Sequence, residues 1–325
     1  MRSTTLGESG PAVSAIGLGC MGMSALYGPR PDDEQSLSTI HRALDLGINL
    51  IDTSASYGDG HNEQLIAKAI RGRRSEVFLC TKFGIRRDGG PMRVDSSPEW
   101  ARKSCDESLE RLRVDHIDLF YLHRRNPDVP VEDTIGAMAE LVAAGKVRHL
   151  GVSEVSPQTL RRAHDVHPLA ALQTEYSLFS REVEAEILPT CRELGITLVA
   201  YSPLGRALLS GQITADTAFG AEDLRSGNPR FVEANRAANL ALVDRLRALA
   251  DEMGVVPAQL ALAWLLAQGT VPIPGTTRIR HLEQNVASTA VTLTPEQLRR
   301  ITDLIPAEAV QGERLAASAA RWVGK

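Results

Sequence analysis

The sequence predicts an α/β fold, the (β/α)8 or TIM barrel. Three observations support this prediction. Eight short β-prone runs alternate with longer amphipathic stretches between about Ser14 and Ala287. The runs are almost continuously apolar, as strands are when a parallel sheet is buried on both faces. No linker or change of composition interrupts the alternation, so residues 1–325 are predicted to form a single domain.

The elements are predicted in chain order. A Gly-Glu-Ser-Gly turn within residues 2–13 predicts an N-terminal hairpin that closes the amino-terminal mouth of the barrel. The barrel strands are predicted at 15–19, 48–52, 77–82, 117–123, 147–153, 170–175, 196–202 and 271–274. Helices are predicted at 32–47, 62–72, 98–112, 131–145, 156–167, 182–195 and 236–254, and a C-terminal tail follows the last βα unit.

Turn and cap signals mark the ends of these helices. Four glycines stand where a helix is expected to end in the left-handed conformation: Gly47, Gly145, Gly195 and Gly254. Ser156 before Pro157 is a helix start signal. The segment from Pro203 to Asn235 is rich in Gly, Pro, Asn and charged residues, which is typical of a lid or a binding loop.

Composition excludes several classes of function. The chain has 325 residues, 43% of them hydrophobic, with a formal net charge of -4 and no basic stripe for nucleic acid. We find no signal peptide and no apolar segment of about 18 residues, so we expect a cytoplasmic protein without a membrane partner. The four cysteines show neither a paired nor a zinc spacing, which predicts buried reduced thiols and no metal site.

Four side chains are predicted to meet at the carboxyl end of the barrel, where active sites of this fold lie. Asp52 ends the second predicted strand, Tyr57 follows in its loop, Lys82 ends the third strand and His123 ends the fourth. An ammonium stabilises a phenolate, so Lys82 is expected to lower the pKa of Tyr57 from about 10 and make it a usable acid. Asp52 would keep Lys82 charged, and His123 would polarise a substrate carbonyl.

Each of these residues alone also has a purely structural explanation. Asp52 suits a helix cap, Tyr57 suits packing at the rim, and His123 suits a hydrogen-bonded buried histidine. Lys82 is harder to explain in this way, because a lysine at the end of an apolar strand must be paired or functional. The convergence of all four on three consecutive strand ends favours a site that donates a proton to a carbonyl oxygen, with an alcohol as product.

Over nearly its whole length the chain resembles a known family, the aldo-keto reductases. The matching segments are GLGCMGMS (17–24), GINLIDTSASYG (47–58), TKFG (81–84), DLFYLHR (118–124), KVRHLGVSE (146–154), LQTEYS (172–177), AYSPLGR (200–206) and IPGTTRIRHLEQN (273–285). The catalytic tetrad of that family falls on Asp52, Tyr57, Lys82 and His123. The resemblance implies reduction of an aldehyde or ketone with hydride from NADPH.

The resemblance also implies how the coenzyme is held. Ser153 and Gln173 would bond the nicotinamide carboxamide, and Tyr201 would stack on the ring. Backbone amides of the SPLG turn would contact the pyrophosphate through Ser202, Leu204 and Gly205. The adenosine half would be bound by Gly275, Thr276, Thr277, Arg278, His281, Gln284 and Asn285, with Arg278 on the 2'-phosphate. An alternative interpretation of Arg278 and Arg280 is a solvated helix start.

Three positions depart from the commonest family pattern. Glu154 stands where many members have asparagine beside the nicotinamide, His281 stands where many have arginine, and Gln284 replaces a frequent glutamate. The sequence therefore specifies a nicotinamide coenzyme more clearly than it specifies NADPH over NADH.

Two other functions stay open from the sequence. Some barrels of this family are coenzyme-binding regulatory subunits, and Lys82 is also compatible with an aldolase that forms a Schiff base. The substrate, a small carbonyl compound, is not specified, and alcohol oxidation is the reverse of the same reaction. The substrate pocket is expected to be shaped by residues 21–27, the loop 84–100, Arg124 and the tail after Pro306. The oligomeric state is not predicted.

Overall fold

A computed structural model describes residues 1–8, 10–24, 26–86 and 92–324 of the chain. The described strands are β1 (Ser3–Thr5), β2 (Ala12–Ser14), β3 (Leu18–Gly19), β4 (Leu50–Asp52), β5 (Phe78–Phe83), β6 (Ile85–Arg86), β7 (Arg93–Val94), β8 (Ile117–Leu122), β9 (Val147–Ser153), β10 (Leu169–Glu175), β11 (Thr197–Tyr201) and β12 (Val271–Pro272). The described α-helices are α1 (Asp33–Asp45), α2 (His61–Ala69), α3 (Pro98–Leu112), α4 (Val131–Ala143), α5 (Pro157–Val166), α6 (Ile187–Glu193), α7 (Glu233–Glu252), α8 (Pro257–Ala267), α9 (Ile279–Ala287), α10 (Pro295–Leu304) and α11 (Ala317–Ala320).

The eight barrel strands pair in parallel in the order β3, β4, β5, β8, β9, β10, β11, β12. All eight predicted strands are confirmed, although the first and last are shorter than expected because only two residues of each carry the ladder. The barrel closes between these two short strands, through a parallel bridge from Gly19 to Gly275 and a 3.0 Å bond from Gly17 N to Pro272 O. The predicted (β/α)8 barrel is therefore confirmed.

Glycines allow the backbones to approach closely at this closure. A Cβ on Gly19 would lie 2.7 Å from Ile273 O, and one on Gly275 would lie 2.8 Å from Gly19 O. Residues 17–22 also read GxGxxG, the pattern of many dinucleotide-binding turns. Only a 3-10 turn, Met21–Met23, follows here, so these glycines serve strand packing in the barrel.

The N-terminal hairpin is confirmed by the antiparallel pairing of β1 with β2, Ser3 opposite Ser14. Gly7 N donates to Thr197 Oγ1 at 2.7 Å, which fixes the turn of the hairpin to the start of β11. Leu6 is fully buried and packs into the apolar cluster inside the barrel. The hairpin therefore closes the end of the barrel opposite the carboxyl ends of its strands.

The helices surround the barrel largely where the sequence predicts them. The four glycines expected at helix ends all have positive φ, and Ser156 Oγ accepts a bond from Thr159 N, as a capping serine does. The sequence analysis missed α8 and α10. Helix α8 is apolar and buried on most sides, so it shows no amphipathic period that would distinguish it in sequence.

The long segment between β11 and α7 crosses the carboxyl end of the barrel. The backbone of Asp223 pairs with that of Tyr27 in an isolated antiparallel β-bridge, and Leu224 N donates to Leu26 O at 2.9 Å. The Arg225 guanidinium lies 5.2 Å from the centre of the Tyr27 ring. This segment, residues 202–232, therefore covers the mouth from β11 to the loop after β3, as expected for a lid or binding loop.

The loop after β5 contains the antiparallel pair β6 and β7. Residues 87–91, which belong to the loop expected to shape the pocket, lie outside the described residues. In the described part of the chain no single helix is long and apolar enough to cross a membrane. Helices α7 and α8 together have the length and apolar composition of a membrane span, but the chain bends by 88° between them.

Candidate active site

The barrel brings the four predicted catalytic residues together at the carboxyl ends of three neighbouring strands. Asp52 ends β4, Lys82 lies near the end of β5, and His123 directly follows β8. Parallel pairing places Asp52 opposite Cys80 and Lys82 opposite Tyr121, so the three strand ends lie side by side at one rim, with Lys82 two residues beyond Cys80. Tyr57 reaches the group from the loop after β4, where its N–H donates to Ser54 O at 3.1 Å.

Lys82 is the centre of this group. Its side chain is fully buried, and Nζ donates to Asp52 Oδ1 at 2.5 Å, to Thr53 O at 2.7 Å and to Tyr57 Oη at 3.3 Å. These three acceptors use all three N–H groups of an ammonium. Burial alone would lower the pKa of Lys82, but the Asp52 carboxylate and the Tyr57 oxygen beside it raise it above its usual range. The lysine is therefore protonated, which disfavours the Schiff-base alternative.

Tyr57 differs from the expectation in the direction of its pKa. Burial raises the pKa of the phenol above 10, and Lys82 opposes this shift without reversing it. The predicted net lowering is wrong for this structure, because the cost of burying a phenolate exceeds the attraction of Lys82, which Asp52 partly neutralises. Tyr57 is therefore protonated at neutral pH, with the Lys82 ammonium 3.3 Å from its oxygen.

His123 is a neutral imidazole in this environment. Burial lowers its pKa well below 6.5, and the nearby charges of Arg124 and Lys82 lower it further. Its Nδ1 lies 3.2 Å from Ser54 Oγ, which leaves Nε2 as the ring nitrogen available to a ligand. The ring meets that of Tyr57 edge to face, with centroids 5.9 Å apart. Tyr57 and His123 can therefore approach the same ligand oxygen.

Ser153, Gln173 and Tyr201 lie on the next three strands around the barrel. Gln173 is opposite Ser153 of β9 and Val199 of β11, and Tyr201 ends β11. Gln173 Nε2 donates to Asp52 Oδ2 at 2.7 Å. The amide oxygen of Gln173 is thus directed away from the Asp52 carboxylate. The hydrogen bond between Gln173 and Asp52 connects Ser153, Gln173 and Tyr201 to the catalytic group.

A tight turn follows Tyr201 and contains Ser202, Leu204 and Gly205. Ser202 and Gly205 have φ of 47° and 55°, and the next two residues, Arg206 and Ala207, also have positive φ. Gly205 N donates to Ser202 O at 2.9 Å, and Leu204 is half-buried against the core. Consecutive left-handed residues turn several N–H groups to one side, which is the geometry of an anion-binding concavity.

The remaining predicted coenzyme contacts follow β12, the strand next to β11. Thr276 Oγ1 accepts from Arg278 N at 3.1 Å, and Thr277 O accepts from Gln35 Nε2 at 2.8 Å, so this turn is fixed before α9. Among the others, Gly275 and Arg278 are exposed and Asn285 is buried. His281 and Gln284 are half-buried on α9. These residues therefore lie at the carboxyl rim where β12 meets β3, since Gly275 bridges Gly19 and Gly19 pairs with Asp52.

Positive charge dominates the start of α9. Arg278, Arg280 and His281 lie together, and burial with the two arginine charges lowers the pKa of His281. Glu283, the single acid of this helix, is engaged by Arg42 at 2.6 Å. Within the described ranges no carboxylate pairs with Arg278 or Arg280. This set of donors fits the phosphates of a dinucleotide, since a helix start and unpaired guanidinium groups both favour anions.

An ion-pair network that was not predicted from the sequence lies at the same rim. Glu154, φ 57°, accepts from Arg314 Nη2 at 2.7 Å and Nη1 at 3.0 Å, and from Glu175 N at 3.0 Å. Glu175 binds Arg206 with two bonds of 2.8 and 2.9 Å. Gly324 N donates to Glu154 O at 2.8 Å, so two points of the C-terminal tail contact Glu154. Instead of facing outward as a free carboxylate, Glu154 fixes the tail to the rim.

Replacing Glu154 by glutamine tests this contact through its pH dependence. Burial alone would raise the pKa of Glu154, but Arg314 lowers it from 4.5 to about 2. A lowered pKa in the folded state stabilises the fold above the unfolded pKa of about 4.3, and the stabilisation is lost as pH falls toward 2. We expect Glu154→Gln to cost about 3 kcal/mol at neutral pH and less at about pH 3.

The measurement is urea unfolding of both proteins over this pH range. Glu222→Gln, which changes an exposed glutamate, is the matched control and should cost little at any pH. A stability difference between wild type and Glu154→Gln that stays constant down to about pH 3 would contradict the assignment.

Comparisons with known proteins agree with this geometry. The model of the aldo/keto reductase family matches residues 15–306. A probable aldo-keto reductase 1 from Glycine max is 44% identical over 318 residues, covering 97% of this chain and 92% of that protein. The structure of a glycerol dehydrogenase from Gluconobacter oxydans superposes with a TM-score of 0.88 at 31% identity and covers 97% of this chain and 98% of that one.

A further solved structure carries a bound coenzyme. An aldo/keto reductase from Klebsiella pneumoniae, in complex with NADP and acetate, superposes with a TM-score of 0.74 at 29% identity, covering 97% of this chain and 99% of that one. The span matched by the family model includes all eight barrel strands and the four residues Asp52, Tyr57, Lys82 and His123. This chain therefore belongs to the aldo/keto reductase family, whose members are oxidoreductases that reduce carbonyl compounds with NAD(P)H.

Proposed function

We propose that this protein reduces an aldehyde or ketone to the alcohol, with NADPH as hydride donor and Tyr57 as proton donor. The observation that carries the proposal is the contact of Tyr57 Oη with Lys82 Nζ at 3.3 Å, in a group that also contains Asp52 and His123. The test is consumption of NADPH in the presence of a panel of aldehydes and ketones. Binding of NADPH without consumption on any carbonyl would count against the proposal.

The residues of the chain have distinct roles in this reaction. Neutral His123 donates from Nε2 to the substrate carbonyl oxygen and fixes its position beside Tyr57. When bound, NADPH supplies the hydride that reduces the carbonyl carbon. As negative charge develops on the oxygen, Tyr57 gives up its proton, and the Lys82 ammonium stabilises the phenolate. Asp52 keeps Lys82 charged and oriented, and solvent returns the proton to Tyr57 after the product leaves.

The coenzyme contacts are proposed from the arrangement around the mouth. Ser153 and the amide oxygen of Gln173 offer a hydroxyl and an acceptor for a carboxamide, and Tyr201 offers a ring for stacking. Turn residues Ser202, Leu204 and Gly205 suit a pyrophosphate. Around the start of α9, the adenosine half would contact Gly275, Thr276, Thr277, Arg278, His281, Gln284 and Asn285. The relative from Klebsiella pneumoniae that is described with NADP supports the same coenzyme here.

Replacing Arg278 by alanine tests the preference for NADPH. We expect the dissociation constant for NADPH to rise by roughly 10- to 100-fold, because a charge-assisted contact to the 2'-phosphate is lost. The dissociation constant for NADH, which lacks that phosphate, should change little. Fluorescence titration with both coenzymes provides the measurement, and Arg299→Ala on the exposed surface of α10 is the control. An equal loss for both coenzymes would exclude the 2'-phosphate role.

We further propose that residues 1–325 act as one domain in the cytosol. The hairpin contacts β11 through Gly7, and the tail contacts Glu154 through Arg314, so both ends of the chain pack on the barrel. All four cysteine thiols are buried and free, which suits a reducing compartment.

A further inference from the structure

Arg124 is a half-buried cation beside the catalytic group with no part in the reaction described above. One of its nitrogens, Nη1, donates to His123 O at 2.6 Å and to Ser153 Oγ at 3.0 Å. These two bonds fix the guanidinium between the ends of β8 and β9, on the side of the mouth next to His123. Burial raises the pKa of Tyr57 and lowers the pKa of His123; the charge of Arg124 opposes the first shift and adds to the second, so Arg124 lies near both groups.

Arg124 has no carboxylate partner among the residues that the structure describes, for a specific reason. The nearby Glu154 is engaged by Arg314 and by the N–H of Glu175. Glu175 is in turn occupied by Arg206 and lies 3.7 Å from Arg230 Nη1. Around Glu154 and Glu175 lie the guanidinium groups of Arg124, Arg206, Arg230 and Arg314, and of these Arg124 is the one that neither carboxylate contacts within 4 Å.

A half-buried guanidinium without a direct ion pair favours binding of an anion. Partial burial removes water from the charge, and this cost is offset only when an opposite charge or good acceptors replace the water. Nε and Nη2 of Arg124 keep the fork geometry that binds a carboxylate with two parallel bonds. The phosphates of the coenzyme are already provided for by the turn after β11 and by Arg278, on the other side of the mouth.

We propose that Arg124 binds a carboxylate of the substrate, so that the preferred substrates are carbonyl compounds that also carry a carboxylate group. The inference rests on the proposed carbonyl reduction and narrows its substrate class to oxo acids. The reacting carbonyl lies between Tyr57 and His123, and the carboxylate end of the same molecule lies against Arg124. No further co-reactant is needed, because the carboxylate takes no part in the transfer of hydride or proton.

The experiment compares an acid with its neutral ester at saturating NADPH. The probes are 4-oxobutanoate and methyl 4-oxobutanoate, together with the five-carbon pair 5-oxopentanoate and its methyl ester. We expect kcat/KM of the wild type to be higher for the acid than for the ester in at least one pair, by roughly 10- to 100-fold. Arg124→Gln should reduce this acid-to-ester ratio to near one, and Arg124→Lys should retain part of it.

Arg125→Gln is the matched control, because Arg125 also donates to backbone carbonyls, those of Pro127 and Val129, but lies one residue further from His123. It should leave the acid-to-ester ratio at the wild-type value. A purely structural role of Arg124 would lower kcat/KM for acid and ester alike and preserve the ratio, which would overturn the inference.

A second measurement needs no turnover. In calorimetric titration of the protein saturated with NADPH, which cannot oxidise an alcohol, 4-hydroxybutanoate should bind to the wild type at least roughly tenfold more tightly than to Arg124→Gln. Equal binding to both proteins would overturn the inference. Equal wild-type reduction of acid and ester in both pairs would overturn it while leaving the proposed function intact. Reduction of no carbonyl compound at all would overturn the proposed function, and the inference with it.

Discussion

Tyr57→Phe is expected to lower kcat for carbonyl reduction by roughly 10²- to 10⁴-fold, the range that a positioned general acid contributes. The change removes the proton that the substrate oxygen receives and little else. Lys82 keeps its bonds to Asp52 and to the Thr53 carbonyl, so the buried ammonium stays paired. NADPH binding should therefore change by less than about twofold, because the phenol is not among the groups proposed to hold the coenzyme.

The measurements are steady-state kinetics and a fluorescence titration with NADPH on the same preparation. Tyr176→Phe is the matched control, since it removes another buried phenol, one that donates to Glu184 at 2.8 Å away from the tetrad. The control should lose some stability and keep its kcat. If Tyr57→Phe retained wild-type turnover, another group would have to supply the proton.

Lys82→Met is expected to destabilise the fold by roughly 3–5 kcal/mol, because it leaves Asp52 as a buried carboxylate without its charge partner. Asp52 would keep only the bond from Gln173, and its side chain is 4% exposed, so water cannot replace the ammonium. The double variant Asp52→Asn/Lys82→Met removes both charges. It should recover much of the lost stability and remain inactive.

Urea unfolding of the wild type, Asp52→Asn, Lys82→Met and the double variant gives the coupling free energy between Asp52 and Lys82. We expect a coupling of several kcal/mol in favour of the pair. Additive effects of the two single changes would mean that the 2.5 Å contact has no energetic role, and the proposed function of Asp52 would then be wrong.

The fold and the tetrad could be predicted from sequence because both depend on local patterns. A buried parallel strand is a nearly continuous apolar run, and the residue that ends it must lie at the carboxyl rim of a barrel. Asp52, Lys82 and His123 could therefore be placed without knowledge of any contact between them. Helix α8 was missed for the opposite reason, since a helix buried on most sides has no periodic polar face.

The ion-pair network at the rim could not be predicted because it depends on distant parts of the chain. Glu154 and Arg314 are 160 residues apart, and the tail shows no pattern that fixes where it packs. Two signals were available in part: Glu175 ends an apolar strand, and Arg206 follows the SPLG turn. The direction of the Tyr57 pKa also depends on burial, which the order of residues does not reveal.

Isotope transfer is the decisive test of the proposal that this barrel transfers hydride from NADPH to a carbonyl carbon. NADPH with deuterium at the transferred position of its nicotinamide ring would be incubated with the protein and its best carbonyl substrate, and the alcohol would be analysed by mass spectrometry. We expect one deuterium on the carbinol carbon with wild-type protein, and far slower formation of the same labelled product with Tyr57→Phe. An alcohol without deuterium, or no alcohol despite bound NADPH, would contradict it.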